Sequence, residues 1–164
     1  IVFEIDKSAV ASPEPSHYQG VFIGPQTVAF EESDETSIKY TPDGSEPSLG
    51  TGTRYERPIT LTGTTTVKSR SFRQGCQESE VREDTYRIYA QKVTNDAPIS
   101  LSGDEVMEIT NTYYVHGNDI LLSGNASLVI KDSLLVHQKD FTFQYQLQAT
   151  GNSRVTVEDS GIGN

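Results

Sequence analysis

Apolar residues along this chain come in short alternating runs, never at the 3.6-residue spacing of a helix over three turns. Ile38 and Tyr40 alternate with polar neighbours. So do Ile59 and Leu61, then Val67 within "TTTVKSRSF", then Val81, Tyr86 and Ile88 within "EVREDTYRIY", with Val28 and Phe30 in "PQTVAFE" upstream. Period two marks strands with one buried face. Between these runs stand Asp43-Gly44, Pro47 and Gly75, residues that reverse the chain. Short strands at this spacing predict an antiparallel β-sandwich for the first half. "IVFEID" at residues 1–6 also reads as strand. Because the chain opens on Ile1 rather than Met, it reads as a processed or excised piece.

After "TNDAPI" (residues 94–99) the hairpin pattern stops and a repeat begins. "SGDEVMEITNT", "SGNASLVIKDS" and "TGNSRVTVEDS" align on Gly103, Gly124 and Gly151. Four and six positions past each glycine stand Met107 and Ile109, Leu128 and Ile130, Val155 and Val157. Upstream, Ile99 and Leu101 match Ile120 and Leu122, and these match Leu147 and Ala149. Past the apolar pairs come Asn111, Asp132 and Asp159, and Val115-His116 matches Val136-His137. The copies are spaced by 21 and 27 residues, so the second carries six extra residues within "QKDFTFQYQ". No copy can bury its own apolar face. Stacked in register the copies form apolar columns, which predicts a parallel β-helix of about three coils. Its core is then Ile99, Leu101, Met107, Ile109, Ile120, Leu122, Leu128, Ile130, Leu147, Val155 and Val157, with corners at the three glycines and at Asn111, Asp132 and Asp159. Lys131 is expected over Glu158.

The fold class is therefore all-β. The expected domains are residues 1–92, a linker at 93–97 and coils over 98–164. In the first half, "IKYTPDGSEPS", "Y-x-x-PI-x-L", "TTTVKSRSF" and "G-x-x-S-x-V" with a final Tyr resemble the small Ig-like or fibronectin III-like domain at the C-terminus of chitobiases and β-hexosaminidases. The resemblance covers residues 15–90. It implies an accessory module, since catalysis in that family sits on a separate barrel, so no catalytic residue is carried over. The second half resembles the right-handed parallel β-helix repeats of secreted bacterial and archaeal proteins, among them pectate lyases, tailspikes and adhesins. In those folds an Asn ladder lines one turn, and the matching column here is Asn111, Asp132 and Asp159.

The net charge of −10 excludes a nucleic-acid backbone as partner and disfavours an anionic lipid surface. No stretch of 18 apolar residues predicts a membrane span. Cys76 is single, so it has no partner for an internal disulfide. Asp43 and Glu46 lie three apart in a turn, unlike glycosidase carboxylates facing each other across a sugar. Stacked carboxylates at Asp132 and Asp159 repel, so that column either faces water or holds calcium. His116 and His137 offer either a metal-ligand pair or, the preferred reading, a solvent-facing corner. Lys131, Lys139 and Arg154 are too scattered for a lyase base. Asn125-Ala126-Ser127 is a glycosylation sequon. The absence of Trp argues against sugar stacking, though eight Tyr remain.

The expectation is a non-catalytic, secreted or cell-surface structural module with no cofactor, with calcium as the one candidate ion. Its third copy reads as an unfinished rung. Either the chain is part of a longer coil, or another subunit covers the open end and drives self-association into a filament, sheath or surface layer. The alternative is the accessory portion of a carbohydrate-active enzyme that binds or cleaves acidic polysaccharide.

Overall fold

The computed structural model describes residues 8–33, 35–140 and 144–163. The opening run at residues 1–6 lies outside them. All regular structure among the described residues is β, in seventeen strands and no helix. The chain divides into two compact units, Ile1–Ile88 and Tyr89–Asn164.

The first unit contains β1 (Gly20–Ile23), β2 (Gln26–Val28), β3 (Ser37–Thr41), β4 (Thr53–Arg54), β5 (Ile59–Leu61), β6 (Thr65–Phe72) and β7 (Arg82–Tyr89). Five form one sheet in the order β1-β7-β6-β3-β4, and β2 pairs with β5 in a second. β3 with β4, β3 with β6, β6 with β7 and β2 with β5 are all antiparallel. Period-two alternation is clearest on β7, where Asp84, Tyr86 and Ile88 are buried between more exposed neighbours. Both sheets feed one core: Val28 and Leu61 from the smaller, Ile38, Val67, Tyr86 and Ile88 from the larger, with Phe30 and Tyr55 between strands. The Phe30 and Tyr55 rings meet edge-on at 5.3 Å, and Phe30 N–H donates to the Tyr55 hydroxyl at 3.1 Å. A buried tyrosine thus fills volume while its polar tip satisfies a backbone group.

The second unit contains β8 (Gln91–Asn95), β9 (Ile99–Leu101), β10 (Val106–Thr110), β11 (Thr112–His116), β12 (Ile120–Leu122), β13 (Ser127–Lys131), β14 (Leu134–His137), β15 (Leu147–Ala149), β16 (Arg154–Glu158) and β17 (Gly161–Gly163). They build three parallel sheets: β9, β12 and β15; β10, β13 and β16; and β8, β11, β14 and β17. The chain visits these sheets in the same order on every circuit. Register partners are Ile99, Ile120 and Leu147; Met107, Leu128 and Val155; Ile109, Ile130 and Val157. The third sheet adds an inward column of Val93, Tyr114, Leu135 and Ile162. The described ends of the six-residue insertion are tied down: Asp140 N–H donates to Gln144 Oε1 and Gln146 N–H to Asp119 Oδ1.

Two expectations need correction. The linker expected at residues 93–97 is largely strand, because Gln91–Asn95 pairs in parallel with Thr112–His116. Ala90 N–H already donates to the Asn111 carbonyl and to Asn111 Oδ1, both at 3.0 Å. The circuits therefore begin one strand earlier than the glycine repeat, and the boundary lies at residues 88–89 rather than 92. Second, Val157 is not core. It is 44% exposed although its column partner Ile130 is fully buried. β16 is an edge strand, so a side chain pointing inward there is covered from one side only. Ile99, Ile109, Ile120, Leu122, Leu128 and Ile130 are buried, while Leu101, Met107, Leu147 and Val155 pack half-buried against them.

Candidate functional site

Two repeated corners give the second unit its chemistry. At the first, Gly103, Gly124 and Gly151 take φ of 56°, 68° and 70°, which glycine adopts without a steric penalty. A Cβ on Gly124 would stand 3.0 Å from Gly103 N, and one on Gly151 would stand 3.0 Å from Gly124 O. Successive corners are stacked backbone on backbone, as the bonds from Asn125 N–H to Gly103 O and from Asn152 N–H to Gly124 O show, both 2.7 Å. The following side chains form a polar ladder: Asn125 Nδ2 donates to Asp104 Oδ1 at 2.9 Å, and Asn152 Nδ2 donates to Asn125 Oδ1 at 3.3 Å. The exposed Asn125 of the sequon thus lends its Nδ2 to Asp104.

This ladder stands at the glycine corner, whereas the sequence comparison sought one at Asn111, Asp132 and Asp159. The signal was present in the aligned Asp104, Asn125 and Asn152. Amides both donate and accept, so an Asn column can continue from rung to rung. Asn111, Asp132 and Asp159 instead make the second corner, with φ of 46°, 48° and 45°; Asn and Asp tolerate this region best among non-glycine residues. All three are exposed. Just beyond, hydroxyls link the circuits: Thr112 N–H donates to Ser133 Oγ at 3.0 Å, and Ser133 N–H to Ser160 Oγ at 2.9 Å.

The histidines overturn their sequence reading. His116 and His137 are register partners, but they face the interior, 0% and 8% exposed. Residues alternate along the third sheet, and the parity that turns Tyr114 and Leu135 inward turns both imidazoles inward too. Their ring centroids are 5.5 Å apart. His116 Nε2 lies 3.3 Å from the Asp119 carbonyl, while His116 Nδ1 and His137 Nε2 are buried without a hydrogen-bond partner among the described residues. Burial, then the neighbouring His116, holds the His137 imidazole below the usual range. Among the described residues no group of three or more His, Cys, Asp or Glu is placed to hold a metal ion.

The remaining candidates stay apart. Lys131 and Glu158 are register partners without an ion pair. Lys139 lies beyond β14, and Arg154 is exposed on β16. Val157 and Ile162, 44% and 46% exposed, lie at inward positions of the last circuit, so β15, β16 and β17 present apolar side chains beside unpaired strand edges.

In the first unit, Asp43 Oδ1 accepts from Ser45 N–H at 3.0 Å and from Ser45 Oγ at 2.7 Å. These bonds, the Ser45 hydroxyl foremost, hold its carboxyl below the usual range. Asp43 is thereby a turn residue. Glu46 is exposed and serves the same loop through its carbonyl, which accepts from Thr51 Oγ1 at 3.2 Å. Arg82 Nε donates to Asp84 Oδ2 at 2.7 Å and Nη1 to Glu14 Oε2 at 3.2 Å, with the guanidinium 5.2 Å from the centre of the exposed Tyr18 ring. Sequence reasoning missed this cluster because Glu14 and Arg82 are 68 residues apart. Half-buried Cys76 lines an open depression of about 680 Å³ with Ser37, Leu49, Phe72 and Glu78.

These features define the class: an all-β chain with an antiparallel unit followed by parallel circuits. Residues 17–83, most of the first unit, match the family model of the Chitobiase/beta-hexosaminidase C-terminal domain. No curated protein and no solved structure matches the chain. No helix among the described residues is long and apolar enough to cross a membrane.

Proposed function

We propose that this chain is an extracellular, non-catalytic structural module. An Ig-like sandwich of the accessory type is joined to a right-handed parallel β-helix, in a cell-surface protein or an ordered assembly such as a filament, sheath or surface layer. The observation that carries this reading is the in-register stacking of apolar core columns across three parallel sheets, with the glycine corner and polar ladder repeated from circuit to circuit. Such a repeat builds length and stiffness, and each circuit stabilises the next. The apolar positions Val157 and Ile162, beside free strand edges, favour contact with further circuits, whether of a longer chain or of another subunit. Size determination by light scattering over a hundredfold concentration range, with electron microscopy of the concentrated sample, tests the assembly version. Concentration-dependent growth that Val157→Glu suppresses is expected. A monomer at every concentration overturns it.

The second reading is the accessory portion of a carbohydrate-active enzyme, favoured by the family match over residues 17–83. Cleavage of pectin, alginate or chitin oligosaccharides by this chain overturns the non-catalytic reading. Retention on one of those glycans without cleavage favours the accessory role.

A further inference from the structure

His116 and His137 are imidazoles that the strands of the third sheet turn into the interior beside Tyr114, and nothing in the structural role requires them there. A leucine would pack in either place, as Leu135 does two residues before His137. The His116 carbonyl contact fixes the first tautomer: the Asp119 oxygen only accepts, so Nε2 carries the proton and Nδ1 is left a lone pair. That lone pair and His137 Nε2 have no hydrogen-bond partner among the described residues. The rings lie 5.5 Å apart with planes inclined by 40°. A proton added to either buried nitrogen gains no acceptor and places a charge against a second imidazole in an apolar interior.

The surroundings compensate little. From β8, Asn95 is in register with His116, and its Nδ2 is committed to the Tyr114 hydroxyl at 3.1 Å. Tyr114, on β11, brings its ring to 6.3 Å from His116. Asp119, in the turn after β11, favours a proton on His137, but its Oδ1 is engaged by Gln146 N–H at 2.9 Å. Lys139, following β14, opposes a further positive charge. Asp96 lies against Gly117, next to His116 in the chain.

We infer that the His116–His137 column is an acid-sensitive latch. In mild acid the pair takes up a proton that the closed interior does not accommodate, and the end of β11 and β14, with the turns at 117–119 and 138–140, loosens before the rest of the unit. The sign follows from linkage. His137 is held below the ordinary imidazole value of 6.5, so the opened state binds a proton that the closed state refuses. Stability is whole above about pH 6.5 and is lost as pH falls below it towards the depressed value. Each proton taken up multiplies the opening equilibrium about tenfold per pH unit in that window.

The test is a proton NMR titration of His116 and His137 in the full chain from pH 8 to 5. It is paired with hydrogen exchange at pH 7.5 and 5.5, corrected for intrinsic rates. His137 is expected to titrate below the ordinary imidazole value of 6.5, and exchange in β11 and β14 to rise by up to about tenfold from pH 7.5 to 5.5. The double variant His116→Leu/His137→Leu is expected to abolish that rise. His137 titrating at or above 6.5, or an unchanged rise in the double variant, overturns the latch. Should the variant not fold, the wild-type titration of His137 against the ordinary value of 6.5 decides alone.

Discussion

The two units use nearly the same residues, Ile, Val, Leu, Thr and Ser with glycine at the turns, to opposite ends. In the antiparallel unit most facing pairs are unlike: Thr65 stands opposite Tyr86, Val67 opposite Asp84 and Ile38 opposite Ser71. Its core is closed by aromatic rings from distant positions, Phe30 on Tyr55 and Phe22 against Tyr86. In the parallel unit like meets like along the columns that carry the core and the glycine corner, with Ile99 on Ile120, Leu101 on Leu122 and Gly103 on Gly124. The first core is specified by complementarity, the second by repetition. Complementarity makes a finished object with its own inside, whereas repetition makes a lattice in one dimension whose last layer resembles its middle.

The sharpest way to break this comparison is to cut a fully buried side chain in each unit and an inward side chain in the last circuit. Ile38→Ala in the first unit and Leu128→Ala in the second each remove a side chain that is at most 1% exposed. Each is expected to cost about 3 kcal/mol, from lost transfer energy plus a cavity. Val157→Ala, in the same type of column but 44% exposed, is expected to cost about 0.5 kcal/mol. Denaturant unfolding followed by hydrogen exchange in each unit measures all three. Equal losses at Leu128 and Val157 would show that the last circuit is covered in solution.

The same contrast explains what was legible in the sequence. Each column announces its own partner, so Ile99, Ile120 and Leu147 could be aligned by eye, and the six-residue insertion followed from the spacing. β8 was illegible because Gln91–Asn95 is polar and has no glycine corner before it. Only its register with β11 makes it a rung. The imidazoles were misjudged because a histidine is equally at home at a wet corner and in a core, and only the strand's parity decides. Asp104, Asn125 and Asn152 hid as ordinary turn residues until the close stacking of the corners brought their amides together. In the first unit, the strands and the turn at Asp43-Gly44 were readable locally. The edge strand β1 beside β7 was not, since a four-residue GVFI run carries no sign of a partner sixty residues away.

Repetition also predicts a graded cost along the glycine column. Gly103→Ala meets open space and suffers only the left-handed backbone, about 1 kcal/mol. Gly124→Ala suffers the same φ penalty and drives a methyl to 3.0 Å from Gly103 N, so about 3 kcal/mol is expected. Gly151→Ala should resemble Gly124→Ala, because its Cβ meets Gly124 O at the same distance. Thermal unfolding of the three variants checks the order. A Gly103→Ala as damaging as Gly124→Ala would mean that positive φ alone, not corner stacking, fixes glycine there.

The smallest effects separate the two kinds of polar bond. Tyr86 is a single, buried cross-link: its hydroxyl donates to the His17 carbonyl at 2.8 Å, and burial pushes its pKa up to about 12. Tyr86→Phe is expected to cost about 1 kcal/mol, because it leaves a carbonyl with one bond fewer and no nearby rung to replace it. Asn125 is one rung of an exposed ladder, with water on hand for Asp104 and Asn152 once its amide is gone. Asn125→Ala is expected to cost about 0.5 kcal/mol, at the lower end for a net hydrogen bond. A double variant, Asn125→Ala with Asn152→Ala, should then cost less than the sum of its parts, since the Asn125–Asn152 bond is lost in either single variant. Strict additivity would show that the rungs act separately, and that backbone stacking at Gly103, Gly124 and Gly151 holds the corner without help from the ladder.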